Sequence, residues 1–285
     1  MTEPDHERPV TLGRVAVPPR HHLGSYREYE PPSHLALVAE AAWSFRTTRE
    51  ISHRVLPDPA VSLAFWCCRE PSGRPVSPRL ALIGAKTRPH LVRFEAGCEI
   101  TALRLKLEWI EPVLGLVPGD HDDAEHDLPA ILPNFGAPLF DHLVGTRTCT
   151  EAAGLLETAV ARQLRGTRVE YAKVPGGALD LVRRARGCVP IERVARHMGV
   201  SMRHLRRVVR QAAGMSLKAY ARAQRIVGAM TAADRENRPQ WARLAADSGF
   251  YDQSHLVREC RALCGMTPVE VHRERRLEAE LSNRG

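Results

Sequence analysis

Residues 199–214 read "GVSMRHLRRVVRQAAG". Leu205, Val208, Val209 and Ala212 recur at helical spacing, which predicts a helix with one apolar stripe turned inward. Arg203, His204, Arg206, Arg207 and Arg210 fall on the remaining surface. Ser201 stands where an N-cap hydroxyl belongs, and Gly214 follows the last apolar position. Taken alone, such a helix reads equally well as a solvated basic face or as a surface for a polyanion.

The pattern recurs at residues 249–265, "GFYDQSHLVRECRALCG". "VARHMG" at 194–199 aligns with "LAADSG" at 244–249, which sets Ala195 on Ala245 and Gly199 on Gly249. After one extra residue in the second turn, Leu205 pairs with Leu256, Arg207 with Arg258, Arg210 with Arg261 and Gly214 with Gly265. Each copy reads as helix, tight turn, helix. The alanine lets two helices cross closely, and the glycine supplies the positive φ that the turn needs. Duplication behind the same alanine–glycine spacing favours a surface for nucleic acid. An α-helix fits the DNA major groove, where an arginine fork bonds guanine O6 and N7 together. Other arginines hold phosphates, which adds affinity without sequence information.

Charge distribution agrees. The chain has 285 residues and a formal net charge of +8. From residue 171 onward there are 22 Lys/Arg against 11 Asp/Glu, while the preceding part holds 19 against 22. A basic C-terminal part joined to a mildly acidic body fits a DNA-binding module attached to something else. Membrane attachment fits less well: the basic helices interleave their charges, carry few large aromatics, and no apolar run reaches the ~20 residues of a span. The seven cysteines are odd in number and show no CxxC spacing, and no apolar export signal opens the chain. Mostly buried thiols in a reducing cytoplasm are the expectation.

The first 25 residues, rich in Pro, His and Arg, read as a loose arm. Period-two stretches follow. In "VSLAFW", Val61, Leu63 and Phe65 alternate with Ser62, Ala64 and Trp66. In "ITALRLKLE", Leu103, Leu105 and Leu107 alternate with Arg104, Lys106 and Glu108. Both predict half-buried strands of an antiparallel sheet. A helical stripe of Leu155, Leu156, Ala159, Val160 and Leu164 closes this region and offers a surface on which two copies could pair. Residues 166–176 read as a linker. Beyond it, helices are predicted near 177–187, 190–197, 202–212, 217–231, 240–247, 254–263 and 268–280.

The C-terminal stretch resembles the DNA-binding domain of AraC-family transcription regulators. The marks are "SMRHLRRVVR", then "MSLKAYARAQRI" with Tyr220 and Arg225, then "LAADSGFYDQSHLVRECRALCGMTP" with its "GF-x-D" turn and Pro268. The resemblance spans residues 177–281 and implies seven helices with two helix-turn-helix units on a joining helix. It implies base reading by Arg203, Arg206 and Arg207 in the first unit and by Gln253, His255 and Arg258 in the second. Ser201, Arg210 and Arg261 fall at backbone-contact positions. The phenylalanines favoured by the family are Val209, Leu256 and Cys260 here, all apolar, so Cys260 is expected to be a core thiol. The partners implied are double-stranded DNA at an asymmetric site, RNA polymerase, a small-molecule effector and a second copy of the chain, in a bacterial cytoplasm.

The expected fold is therefore α+β: a β-rich sensor or dimerisation domain over 26–165, cupin-like as in many such regulators, then an all-α domain over 177–285. The stretches "PPSHLALVAEAAWSF", "HRVLPDPAVSLAFW" and "LIGAKTRP" within residues 31–89 also resemble an N-terminal domain of some AraC-family regulators, although Pro59 and Ser62 depart from its glycine and acidic positions. Candidate ligand residues are His53, Arg54 and Asp58, with Trp66 and Trp109 as stacking walls. The plainer alternative has His53 and Arg54 flanking a strand and Asp58 capping a turn.

"DHDDAEHD" at 120–127 offers His121, Asp122, Asp123, Glu125 and His126 as oxygen and imidazole ligands, but reads better as an exposed acidic loop; no metal or cofactor is expected. No GxSxG, HExxH or phosphate-cradling glycine loop occurs, so no catalytic residues are assigned. The rival class is an alkyl-transfer DNA-repair enzyme using the same helical module. It requires a reactive cysteine, for which Cys67-Cys68 is the candidate.

Overall fold

"VSLAFW" becomes the middle of a sheet. The computed structural model describes residues 16–17, 25–165 and 173–283. Its strands are β1 (Ala16–Val17), β2 (Arg27–Tyr29), β3 (Ala39–Arg46), β4 (Ile51–Val55), β5 (Val61–Arg69), β6 (Pro75–Ile83), β7 (His90–Phe94), β8 (Cys98–Leu105) and β9 (Glu125–Asp127). Seven of them form an antiparallel sheet in the order β1-β2-β3-β8-β5-β6-β9, and β4 pairs with β7 as a separate ribbon.

Both period-two stretches are buried on both faces, where half-burial was expected. On β5, Val61, Leu63 and Phe65 join the main core, while Ala64 and Trp66 join a second cluster with Phe45, Phe94 and Ile100. On β8, Leu103 and Leu105 enter the main core, and Arg104 is buried on the opposite face. The reason is the β4–β7 ribbon, which covers the face that a simple antiparallel sheet would leave wet.

Helices α1 (Ile110–Leu114), α2 (Leu128–Ile131), α3 (Pro133–Val144) and α4 (Cys149–Leu164) follow the strands. Thr148 caps α4 by accepting from the Glu151 amide at 3.2 Å, and Glu151 reaches back to accept the Arg147 amide at 2.7 Å. Leu156 and Val160 of α4 are fully buried in the main core, with Leu155, Ala159 and Leu164 packed beside them. Of the stripe considered for pairing two copies, Leu156 and Val160 are thus taken up by the chain's own core, while Leu155, Ala159 and Leu164 stay partly exposed.

The last seven helices are α5 (Lys173–Arg184), α6 (Ile191–His197), α7 (Met202–Ala213), α8 (Leu217–Ala233), α9 (Trp241–Asp247), α10 (Gln253–Cys264) and α11 (Pro268–Asn283). They match the predicted helices closely, except that α5 starts inside the stretch read as linker. Residues 166–172 of that stretch, and most of 1–25, lie outside the described residues.

The helical part is fastened to the β-rich part at two places. Near the first helix-turn-helix unit, the 107–109 turn packs on α5 and α7, and Ala178, Leu179 and Val182 share its core. Arg183 crosses this seam to Glu40 at 2.7 Å and Glu108 at 3.3 Å. Gly214, at φ +72°, approaches Gly119 so closely that a Cβ there would sit 2.5 Å from its Cα. Near the second unit, Arg54 of β4 bonds Glu274 of α11 at 2.9 Å, and Leu56 is buried with Ile226, Leu256 and Val271.

Candidate nucleic-acid interface and effector cavity

The two units close their turns with the same hydrogen bonds. The Val200 amide donates to the Ala195 carbonyl at 3.1 Å, and the Phe250 amide to Ala245 at 2.9 Å. Gly199 and Gly249 sit at φ +64° and +72°, in the left-handed region that the turn requires. Ser201 caps α7 through the His204 amide at 3.2 Å, and Asp252 caps α10 through the His255 amide at 2.6 Å. Inward, Leu205 and Val209 match Leu256 and Cys260, all fully buried. Cys260 is a core thiol.

Outward, Arg203, Arg206, Arg207 and Arg210 of α7 and Gln253, Arg258 and Arg261 of α10 are exposed. None of these arginines has a carboxylate within 4 Å among the described residues. Some arginines elsewhere in the same domain are paired: Arg222 with Glu259 at 2.5 Å, Arg243 with Glu236, and Arg184 with Asp180 at 2.7 Å. The outer faces of α7 and α10 are thus cationic, although exposed arginines off these faces, among them Arg193, Arg196, Arg238 and Arg273, also show no ion pair among the described residues. His255 differs, being half-buried with Nδ1 accepting the Tyr251 amide at 3.2 Å and its ring edge on Phe250. Arg225 of the joining helix α8 lies over the Phe250 ring at 5.5 Å and steadies the second turn. Arg222, which ties α8 to α10, was not singled out in the sequence, where it is one basic residue among many.

A cavity of about 130 Å³ lies between the main sheet and the β4–β7 ribbon. His53, Asp58 and Trp66 line it. Arg54 and Trp109 do not. Arg54 alternates to the opposite face of β4 and meets Glu274, and Trp109 is buried in the main core beyond the sheet. The other principal walls are Tyr26, Trp43, Phe45, Phe94, Lys86 and Arg104. Arg104 bonds Glu28 at 3.0 Å and the Tyr26 hydroxyl at 3.1 Å, with Asp58 at 3.8 Å. Burial works against the Arg104 charge, but Glu28, Tyr26 and Asp58 outweigh it and hold the guanidinium above its usual range. Lys86 differs: burial pushes its ammonium below the usual lysine range despite Asp123 and Glu125 nearby.

The "DHDDAEHD" run is not a loop throughout. Glu125–Asp127 form β9 on the sheet edge, Asp127 caps α2, and Asp123 accepts the Thr87 amide at 2.9 Å. Among the described residues no group of three or more His, Cys, Asp or Glu is arranged to hold a metal. Burial pushes the Asp122 carboxyl up to about 6, with Asp123 adding to the effect. The folded chain thus keeps a proton that the unfolded chain releases near pH 4, and stability falls as pH rises from there through about 6. Asp122→Asn is therefore expected to stabilise the chain by on the order of 1 kcal/mol at pH 7, after allowance for solvent screening, and by nothing below pH ~4. Urea midpoints at the two pH values check this.

All seven cysteines are free. Burial pushes the Cys67 thiol up to about 11.

Residues 194–275 match the family described as a helix-turn-helix domain, and this domain is of the AraC type. With two duplicated units on a joining helix, the class is a DNA-binding transcription regulator. Among solved structures, the chain is similar to ToxT from Vibrio cholerae at 9% identity, over 82% of this chain and 97% of that one, with a TM-score of 0.43. It is also similar to unsaturated fatty acid-bound ToxT at 10% identity, over 82% and 94%, with a TM-score of 0.37. No curated protein matches the chain. Among the described residues no helix is long and apolar enough to cross a membrane.

Proposed function

We propose that α7 and α10 enter adjacent major-groove segments of one DNA duplex, and that a small molecule in the cavity modulates how they are held. The observation that carries the first part is the set of carboxylate-free arginines on the outer faces of two units whose turns close with the same hydrogen bond. Arg203, Arg206 and Arg207 read bases in one segment, and Gln253, His255 and Arg258 in the other. Arg210 and Arg261, one turn further along each helix, hold phosphates. Ser201 Oγ already accepts an amide proton, which leaves its own proton to donate to a phosphate oxygen.

Support for modulation comes from β4. His53 and Val55 face the cavity, while Arg54 between them meets α11 and the following Leu56 enters the second unit's core. The first unit is fastened separately, through Arg183 and Gly214. A ligand that shifts the ribbon therefore moves the second recognition helix relative to the first, and spacing between the two decides whether both reach their segments.

The test is a titration of the full chain with genomic DNA fragments selected for binding. With several phosphates neutralised, affinity is expected to fall about 100-fold from ~50 to ~200 mM salt. A flat response would remove phosphate contact from the account.

A further inference from the structure

The cavity is polarised along its length by strand register. At one end Phe94 meets both Phe45 and Trp66, with ring centroids 4.8 Å apart for Phe45–Phe94 and 5.6 Å for Trp66–Phe94. At the other end, where Ser62 of β5 faces Arg104 of β8 and Asp58 bridges to Lys86, the walls are polar. Arg104 is already engaged there by Glu28, Asp58 and Tyr26. Lys86 is not comparably engaged. It is only 8% exposed, its Nζ donates to a single acceptor, the Ala124 carbonyl at 3.2 Å, and no carboxylate lies within 4 Å among the described residues. The nearby carboxylates, Asp123 and the cavity-lining Glu125, do not offset the burial of this ammonium, and an anion arriving with a ligand would relieve it.

Size narrows the ligand further. The cavity is about 130 Å³, and an apolar cavity of about 150 Å³ takes one benzene ring. A long alkyl chain would leave most of its length outside that room. A sugar would bring many hydroxyls to an end walled by Phe45, Phe94 and Trp66, where the indole Nε1 is the unpartnered polar atom.

We propose that the cavity binds a single-ring aromatic carboxylate, its ring among Phe45, Trp66 and Phe94 and its carboxylate on Lys86. This rests on the effector reading above and names the ligand class for it.

The experiment follows tryptophan fluorescence of the full chain, since Trp43 and Trp66 both line the cavity. The probes are benzoate, benzyl alcohol, hexadecanoate and glucose. Benzoate is expected to bind at least about tenfold more tightly than benzyl alcohol, the difference that one charge-assisted contact supplies. Lys86→Met is expected to abolish that preference, with benzoate falling to the level of benzyl alcohol or below. The comparison of the two probes on the unaltered chain needs no variant and stands even if Lys86→Met folds poorly. Equal binding of benzoate and benzyl alcohol, or no binding of either, overturns the proposal. If hexadecanoate or glucose is bound instead, the ligand class falls while the effector reading stands. If no probe binds and the salt titration still succeeds, the effector reading loses its support and DNA binding is untouched.

Discussion

Arg183→Ala is expected to lower the unfolding free energy by about 3–5 kcal/mol, the range for removing one partner of a buried ion pair. Arg183 is 85% shielded from solvent at its side chain and stands between Glu40 and Glu108, which are more buried still. Burial already pushes the Glu108 carboxyl above the usual carboxylate range, and Arg183 is the group that opposes this. Without the guanidinium, two carboxylates from the β-rich part face each other at the seam with α5. Arg184 provides the contrast. It also pairs with an acid, Asp180, but its side chain is 79% exposed, so Arg184→Ala should shift stability by at most about 1 kcal/mol. Denaturant unfolding of the two variants checks the pair. Similar losses for both would mean that the seam is not held by Arg183.

The second large effect concerns DNA. Arg207→Ala and Arg258→Ala should each remove about 1–3 kcal/mol of base discrimination, roughly tenfold to a hundredfold in affinity for the preferred sequence. They occupy equivalent places in the repeat and are both exposed, yet they belong to different recognition helices. Each substitution should therefore relax preference in one segment and leave the other intact, and the double variant should show nearly additive losses. Binding to randomised half-sites checks this. A uniform weakening across all sequences would recast both residues as phosphate contacts.

The repeat was legible in sequence because its determinants are local. Ala195, Gly199, Ser201 and Leu205 specify a turn, a cap and a buried position within a few residues, and Ala245, Gly249, Asp252 and Leu256 repeat them. The cavity was only partly legible, because it is made by pairing distant strands. His53 and Asp58 were found by residue type, but Lys86, Arg104 and Phe94 come together only through separate long-range pairings: Asp58 with Lys86, β5 with β8, and β4 with β7. The same long-range pairing explains why "VSLAFW" looked half-buried. A period of two identifies two faces; it does not say that a second layer will cover the outer one. Arg54 was misplaced for a simpler reason: consecutive strand residues point opposite ways, so Arg54 cannot share a cavity with both His53 and Val55. The "DHDDAEHD" run read as a loop because β9 gains its strand character from β6 beside it.

Footprinting the full chain on a selected genomic fragment tests the central claim most directly. Two recognition helices on one joining helix predict two protected major-groove segments about one helical turn apart, near 34 Å centre to centre. They also predict that Arg258→Ala weakens protection of one segment first. Protection of a single segment, unchanged by Arg258→Ala, would contradict the account.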